Sequence, residues 1–259
     1  MSSASPCVAL VLAGTRPGGD PLARHAGVSH KALIEVGGKP MLAHVLAALD
    51  AVPDVTRIVV AIDRPEVLEQ LPPCGKPVAV VPAASGPSAS VAAALEREQL
   101  PLLVTTADHA LLQAAWVMEF LAAARATPAE ADALVALARR EAVLAAVPDT
   151  IRTWLRFSDG DYSGCNLFLL RTPASTALVR LWQQLEAERK RPLAMLKRLG
   201  FTYALRYRLR LLGLAQALDR VGSVAGARLA PVVLSDGRAA IDVDKPADLE
   251  LVQRLLSGN

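Results

Sequence analysis

Continuous apolar runs alternate with helical patterns through the first half of the chain. The runs are rich in Val, Leu and Ile, and the segments between them carry apolar residues at helical spacing. Uninterrupted apolar runs are typical of parallel strands that are buried on both faces. We therefore predict an α/β fold with a mostly parallel, twisted sheet and helices on both faces. The predicted strands are residues 8–12, 57–62, 77–81, 102–106 and 133–138.

The second half of the chain has a different pattern. Residues 153–157 and 166–170 predict two strands around a Ser-Asp-Gly turn, and a further strand is predicted over 231–234. A helical insert is predicted over about 174–228, beginning with an amphipathic helix. The tail AIDVDKPADLELVQRLL predicts a last strand, a turn and a closing helix. No composition shift divides the chain, so we predict a single domain over residues 1–259.

Composition and charge exclude several classes of protein. Hydrophobic residues make up 53% of the 259 residues, which is enough for a sizeable core, and the net charge of +3 is too balanced to predict nucleic-acid binding. The cysteines, Cys7, Cys74 and Cys165, lack metal-ligand spacing. The apolar run near the N-terminus is too short for a signal peptide or a transmembrane helix. We therefore predict a cytoplasmic protein with no transmembrane segment.

A glycine-bearing basic loop follows the first predicted strand. The chain reads VLAGTRPGG there, Lys31 comes later, and a Gly-Lys-Pro turn then opens a helix. Free backbone N–H groups at a βα turn, with Arg and Lys nearby, form a site for anions. An alternative is that the glycines only shape a surface loop. The predicted ligand is a nucleoside triphosphate, bound by Leu12, Ala13, Gly14, Thr15, Arg16 and Lys31, with Arg16 and Lys31 holding its phosphates.

Three acidic residues are candidates for binding a metal ion. Asp108 follows the predicted strand 102–106, at the sheet edge where α/β proteins bind ligands. Asp242 and Asp244 lie in the tail and, in strand geometry, face the same side. Carboxylate oxygens suit Mg²⁺. The alternative is that Asp108 caps the next helix and that the tail acids are solvated.

Two further segments carry polar groups next to predicted elements. The loop PAASGPSAS precedes a helix, and Ser90 is the predicted N-cap of that helix. A Ser-Gly turn precedes the predicted strand that contains Asn166, and Arg156 lies on the strand before it. A plain helix-capping loop and an ordinary turn explain these two segments as well.

Four segments together resemble the MobA-like NTP transferases, the group that includes the molybdenum-cofactor guanylyl- and cytidylyltransferases. They are the LAG-x-R start with Lys31 and the Gly-x-Pro turn, the Gly-Ser loop, the strand-end Asp, and the D-x-D-K-P tail. Thr15 stands where the family usually has a second glycine. The resemblance implies a Rossmann-like fold of the GT-A type.

The same resemblance implies roles for individual residues. Gly86 and Ser90 are expected to contact the base, and Asn166, with Arg156 nearby, the acceptor. Arg16, Lys31 and Asp108 are the expected catalytic residues. The expected cofactor is Mg²⁺, held by Asp108 and Asp244, with Asp242 as the alternative to Asp244.

These expectations lead to one predicted reaction and two alternative functions. We expect Mg²⁺-dependent transfer of an NMP group from an NTP, with CTP and GTP favoured, to a small molecule that bears a phosphate. Molybdopterin, a sugar phosphate and a phosphorylated alcohol remain open as acceptors. One rival is a GT-A glycosyltransferase that uses a nucleotide-sugar, and the other is a nucleotide-binding regulatory module without turnover.

A basic segment in the helical insert lies outside these motifs. From Arg189 to Arg210 there are eight Lys or Arg residues and no Asp or Glu. The segment is interpreted first as a solvated helical face. The alternatives are a lid over the acceptor pocket and a contact with an anionic membrane surface. No sequence feature indicates an oligomeric state.

Overall fold

The computed structural model describes residues 6–15, 18–188 and 200–257. Its strands are β1 (Cys7–Leu12), β2 (Glu35–Val36), β3 (Lys39–Pro40), β4 (Val55–Ile62), β5 (Val78–Pro82), β6 (Leu102–Thr106), β7 (Ala133–Arg139), β8 (Leu155–Phe157), β9 (Gly160–Leu170) and β10 (Leu229–Leu234). The α-helices are α1 (Pro21–His25), α2 (Met41–Asp50), α3 (Pro87–Leu95), α4 (Ala114–Ala126), α5 (Arg140–Ala146), α6 (Ser175–Ala187), α7 (Phe201–Arg208), α8 (Leu214–Ala225) and α9 (Pro246–Ser257). Short 3-10 turns cover Lys31–Leu33, Pro65–Gln70 and Gly237–Ala240.

The main sheet has the strand order β10-β7-β9-β6-β1-β4-β5, and β8 pairs with β9. Four neighbouring pairs are parallel, whereas β9 is antiparallel to both of its main neighbours, β6 and β7. The predicted mostly parallel sheet is confirmed, and the first four predicted strands are neighbours in it. The sequence does not indicate that β9 lies between β6 and β7, because the partners of a strand depend on contacts far along the chain.

The side chains of the central strands alternate between two cores. In β1, Ala9 and Val11 face one core, which α2, α4 and α9 cover, and Leu10 faces the other, which α3 and α6 cover. Because β1 is buried on both faces, its sequence has no polar residues at alternate positions. The two helical layers leave the edge formed by the carboxyl ends of the parallel strands open for a cleft.

Two local predictions are wrong, and a short stretch without a predicted element has regular structure. That stretch contains the 3-10 turn at residues 31–33 and the strand Glu35–Val36. The tail contains no strand among its described residues, because the backbone N–H of Val243 donates to the carbonyl of Asp108 at 3.0 Å instead of joining a ladder. Ser90 is not an N-cap, since α3 already begins at Pro87 and the Ser90 hydroxyl accepts from the Ala84 N–H at 2.9 Å.

A bulge in β9 reorients Asn166. The register with β7 shifts between Val135, which pairs with Phe168, and Leu137, which pairs with Gly164. Asn166 lies in this bulge with a φ of 49°, a left-handed conformation that Asn tolerates better than most residues. Because of the bulge, the Asn166 side chain does not follow the regular alternation of side chains between the two faces of the sheet.

Only part of the basic segment is described. Residues 189–199 lie outside the described residues, and the rest includes α7. None of the helices in the described part of the chain has the length and apolar character that a membrane span requires.

Gly237 provides a test of the packing on which the tail depends. A Cβ at this position would lie 2.3 Å from the backbone of Ala142, whereas a Cβ at Gly164 would meet open space. We expect Gly237→Ala to lower the free energy of unfolding by about 3 kcal/mol, as overpacking does. The matched change Gly164→Ala should leave it within about 0.5 kcal/mol of the wild type. Urea denaturation measures both, and equal stabilities would contradict the close packing of the turn.

Candidate active site

A cleft of about 1300 Å³ lies at the carboxyl edge of the parallel strands. Leu12 and Thr106 pair directly in the register of β1 and β6, so Gly14 and Asp108 lie at the same edge and both line the cleft. The tail contributes Asp244, and α6 closes one side. Of the predicted nucleotide-binding residues that the structure describes, all line this cleft: Leu12, Ala13, Gly14, Thr15, Lys31, Gly86 and Ser90. Arg16 lies outside the described residues.

The ammonium group of Lys31 joins two carboxylates from distant parts of the chain. Its Nζ donates to Asp108 Oδ2 at 2.8 Å and to Asp244 Oδ1 at 2.9 Å. Burial alone would lower the pKa of Lys31, but these two carboxylates raise it above the ordinary value. Lys31 therefore stays positively charged and brings the two predicted metal ligands together.

Asp108 has one carboxylate oxygen that could bind a metal ion. Its Oδ1 is buried and has no hydrogen-bond partner among the described residues. Burial raises the pKa of Asp108, and Lys31 opposes this effect. The alternative role as a helix cap is wrong, because α4 begins only at Ala114, after Gln113.

The donor set fits Mg²⁺ rather than a metal that needs a full protein cage. Within the described ranges, no cluster of three or more His, Cys, Asp or Glu side chains could hold a metal ion. Mg²⁺ is usually bound through one or two carboxylates together with substrate phosphates and water. Two carboxylates, one with an unpartnered oxygen, match that requirement.

Asp242 has protein partners for both carboxylate oxygens. Arg152 donates to Oδ1 at 2.6 Å, and the Asn166 amide donates to Oδ2 at 2.8 Å. Burial opposes ionisation of Asp242, but the hydrogen bond and charge of Arg152 outweigh it and lower the pKa. Asp242 is therefore less available to a metal than Asp244, and Asn166, the predicted acceptor contact, orients Asp242.

The structure separates the two predicted acceptor residues. Arg156 is exposed in β8 and pairs with Asp161 in β9, which is five positions before Asn166. At about 3.3 Å per strand residue, roughly 15 Å of strand lies between the two positions. The structure therefore does not bring Arg156 and Asn166 together as one site.

A network around His30 positions Lys31, and the sequence analysis missed it. His30 is 2% exposed, and its Nδ1 accepts from the Ala32 N–H at 3.1 Å, so the proton lies on Nε2. Nε2 lies 2.8 Å from Thr15 Oγ1 and 3.2 Å from Asp63 Oδ1, and the same Asp63 oxygen accepts from the Thr15 N–H at 2.8 Å. His30 thus fixes both the first loop and the 3-10 turn that begins at Lys31. The only signal in the sequence is its position next to Lys31.

The wall formed by α6 was also missed. Glu186 on this helix accepts hydrogen bonds from the Ser88 N–H at 3.3 Å and from the Ser88 hydroxyl. A Cβ at Gly86 would lie 2.6 Å from Glu186 Oε1, which is the end of a flexible side chain that can rotate away. A Cβ at Gly14 would lie 2.8 Å from the Cβ of Ala83, which cannot rotate away. Close packing beside the cleft therefore requires a glycine at position 14.

A comparison with protein-family models identifies the chain. The MobA-like NTP transferase domain matches residues 9–199, which is well over half of the chain. The chain belongs to this family. It is accordingly a nucleotidyltransferase, and the sequence resemblance is confirmed. The matched range ends before Asp242 and Asp244, so the tail of this MobA-like transferase enters the site from outside the family match.

Solved structures resemble this MobA-like transferase along nearly its whole length. A hypothetical transferase from Thermus thermophilus is 30% identical, with a TM-score of 0.80, and the alignment covers 94% of this chain and 99% of that one. The 4-diphosphocytidyl-2C-methyl-D-erythritol synthase of Anaerococcus prevotii shares the fold at 11% identity and a TM-score of 0.58, covering 98% and 97% of the two chains.

A CMP-2-keto-3-deoxy-manno-octonic acid synthetase solved with CTP shares the fold as well. It is 18% identical with a TM-score of 0.58, and the alignment covers 98% of this chain and 99% of that chain. No curated protein sequence matches this MobA-like transferase.

The Arg152–Asp242 pair should support the stability of this MobA-like transferase in a pH-dependent way. Only 13% of the Arg152 and 16% of the Asp242 side chain is exposed, so Asp242→Asn should lower the free energy of unfolding by about 3 kcal/mol at neutral pH. Because the folded-state pKa of Asp242 is lowered, its contribution is complete above about pH 4 and is lost as the pH falls through that lowered pKa. The stability difference between variant and wild type should therefore shrink in acid.

Chemical denaturation at a series of pH values measures this difference. Asp149→Asn is the matched control, since Asp149 is exposed in a nearby loop and its loss should change stability by less than about 0.5 kcal/mol. A stability difference for Asp242→Asn that does not depend on pH would contradict the ion pair as its source.

Proposed function

We propose that this MobA-like transferase moves an NMP group from an NTP to a phosphate-bearing small molecule, with Mg²⁺ as cofactor and pyrophosphate as the second product. The observation that carries the proposal is the contact of Lys31 with both Asp108 and Asp244 in the cleft. The reaction needs positive charge for the phosphates and negative charge for the metal ion. The Lys31 ammonium, beside the glycine-bearing loop, supplies the first, and the two carboxylates supply the second.

The reaction follows from the charges. A phosphate oxygen of the acceptor forms a bond to the α-phosphorus of the NTP, the bond between the α-phosphorus and the bridging oxygen breaks, and pyrophosphate leaves with the electron pair. A phosphate monoester is largely ionised near neutral pH, with a second pKa of about 6, so no general base is required. Positioning and charge neutralisation then supply the rate acceleration.

Each residue has a role that its contacts support. The backbone from Ala13 to Thr15 lies at the cleft, where N–H groups can face phosphate. Lys31 is held by His30 and the two carboxylates, and its ammonium would turn to the triphosphate and the leaving pyrophosphate. Arg16, which belongs to the same loop, is proposed as the second phosphate-binding cation.

Asp108 and Asp244 are the proposed Mg²⁺ ligands. A Mg²⁺ ion held by these two carboxylates would neutralise negative charge on the reacting phosphates. Lys31 contacts both carboxylates, and its positive charge offsets the repulsion between them.

The base end of the cleft favours a base that carries an amino group. The carboxylate of Glu186 reaches the loop at Gly86 and Ser88, and an ionised carboxylate only accepts hydrogen bonds. Cytosine offers its 4-amino group to such an acceptor, guanine its 2-amino group with the neighbouring N1–H, and adenine its 6-amino group, whereas uracil has no amino group. We therefore propose a donor whose base carries an amino group, with Gly86, Ser90 and Glu186 at the base. CTP and GTP, which the family resemblance favours, are the first donors to test.

Asn166 is proposed to act on the acceptor side through its bond to Asp242, and Arg156 is left without support from the geometry. The acceptor is proposed to be a phosphorylated small molecule, with molybdopterin, sugar phosphates and phospho-alcohols as the panel to test. The proposed setting is the cytoplasm, where the thiols of Cys7 and Cys165, both buried, would stay reduced.

A pyrophosphate-release screen tests the function and separates it from its rivals. Each common NTP is combined with each acceptor of the panel in the presence of Mg²⁺. Pyrophosphate that depends on both substrates supports nucleotidyl transfer to a phosphate. Cleavage of a nucleotide-sugar without pyrophosphate would favour the glycosyltransferase, and tight nucleotide binding without turnover would favour the regulatory module.

Asp108→Asn should abolish turnover and leave the fold intact. The change keeps the shape of the side chain and removes the charge needed for the metal, so we expect kcat to fall by about 10³-fold or more. Asp244→Asn should be milder, since Asp244 is 61% exposed and Asn retains an oxygen ligand. Pyrophosphate release measures both variants, and thermal unfolding confirms that they are folded. An Asp108→Asn enzyme with unchanged Mg²⁺-dependent release would refute the metal assignment.

Glu186→Gln should weaken discrimination of the base. Selectivity is measured as kcat/KM for the preferred nucleotide over its counterpart without the amino group, which is GTP over ITP or CTP over UTP. We expect this ratio to fall by about tenfold, because the carboxylate no longer accepts from the amino group at full strength. Glu69→Gln removes an exposed carboxylate away from the cleft and should leave the ratio unchanged. An unaltered ratio for Glu186→Gln would exclude Glu186 from base recognition while leaving the transfer reaction intact.

A further inference from the structure

Helix α7 lies on the surface and buries none of its residues. Its large apolar side chains are instead exposed, with Phe201 at 72% and Leu205 at 45%. The two leucines that follow it, Leu209 and Leu211, are 57% and 59% exposed. We call these four residues the α7 surface. Exposed apolar side chains are ordinary when single, but a group of four on one short segment calls for an explanation.

The side of α7 that faces the protein is aromatic. The Arg220 guanidinium lies 5.0 Å from the centre of the Tyr203 ring, and the Tyr207 ring packs edge-on against Phe157 at 5.5 Å. The Tyr207 hydroxyl also accepts from the backbone N–H of Arg156 at 3.2 Å. These contacts fix the rotation of the helix about its axis.

The helical repeat then places the apolar residues outward. Phe201, Leu205 and Leu209 follow one another at intervals of four, so they share a face that lies away from Tyr203 and Tyr207. A surface helix of a globular protein normally turns its apolar stripe toward the core. Among the described residues the stripe of α7 faces solvent, an arrangement that suits a helix with an external partner.

The charged side chains in the described stretch 200–210 are all arginines. They are Arg206, Arg208 and Arg210, and the stretch contains no Asp or Glu. Arg208 is exposed, whereas Arg206 donates to the Leu211 carbonyl at 3.1 Å and Arg210 approaches Asp161 at 3.8 Å. An apolar face flanked by Lys and Arg is typical of helices that lie in the plane of a membrane interface.

Two other occupants fit less well. The residues that line the cleft include none from 200–210, so the described part of the basic segment does not form a lid over the acceptor pocket. A second copy of the chain would bring two segments of the same charge together, which costs free energy unless other charges compensate. An anionic bilayer supplies both an apolar layer and the opposite charge.

We propose that the α7 surface docks the enzyme on anionic phospholipid bilayers. The apolar side chains enter the interface between headgroups and acyl chains, and the arginines contact lipid phosphates and carboxylates. The contact is peripheral and salt-dependent, because Lys and Arg near a charged membrane are screened by added salt. This inference is independent of the proposed function.

Vesicle sedimentation of the full-length protein tests the proposal. Vesicles of phosphatidylcholine alone are compared with vesicles that also contain phosphatidylserine, at low and at high salt. We expect binding to the anionic vesicles, and each basic residue at the surface should strengthen it by about fivefold. The double variant Phe201→Ser with Leu205→Ser should reduce the partition coefficient by at least about tenfold, since two apolar anchors are lost.

Ile151→Ser is the matched control. Ile151 is 88% exposed and lies in a loop outside the basic segment, so its loss should leave vesicle binding unchanged. Far-ultraviolet circular dichroism verifies that every variant is folded. Absence of binding to anionic vesicles at low salt overturns the proposal, and so does full binding by the double variant. Self-association that disappears in the double variant, without any vesicle binding, would assign the α7 surface to a second copy instead.

Discussion

One ammonium group joins two acidic residues from distant parts of the chain. Asp108 is 77 positions from Lys31 in sequence, and Asp244 is 213 positions away. Two carboxylates at such close range repel each other strongly when no cation lies between them. Lys31 provides that cation from within the chain, so the protein itself keeps the two acids close together. Substrate binding therefore need not bring the acids together, which lowers the cost of assembling the site.

The scaffold behind this contact could be derived largely from sequence. The strands that carry Gly14 and Asp108 contain almost only apolar residues, and this signal does not depend on long-range contacts. Parallel strands place their carboxyl ends at one edge, so the meeting of the two loops follows from topology alone. Asp244 could be matched only through the D-x-D-K-P motif, since the strand predicted for the tail is absent from the structure.

The residues that the sequence did not indicate act through contacts between distant segments. His30 has no spacing signal, yet its two ring nitrogens connect the turn at Lys31 with Thr15 and Asp63. Glu186 belongs to an amphipathic helix whose polar residues all resemble solvated charges until the packing against α3 is known. Asn166 is a predicted acceptor contact, but its bond to Asp242 depends on a bulge that no periodicity reveals. In each case the local sequence is compatible with many partners, and tertiary packing selects one.

The arrival of Asp244 from the tail also sets the order in which the active site can be made. The ribosome delivers the chain from its N-terminus, and the domains of a growing chain begin to fold before synthesis ends. The strands β1, β4, β5 and β6, with Lys31 and Asp108, are synthesised before the segment 241–245. A nascent chain can thus form the loop for the triphosphate without a complete set of carboxylates. Competence for catalysis begins only once Asp244 has been synthesised and has reached Lys31, so a translation product that stops before Asp244 is inactive even where its sheet has formed.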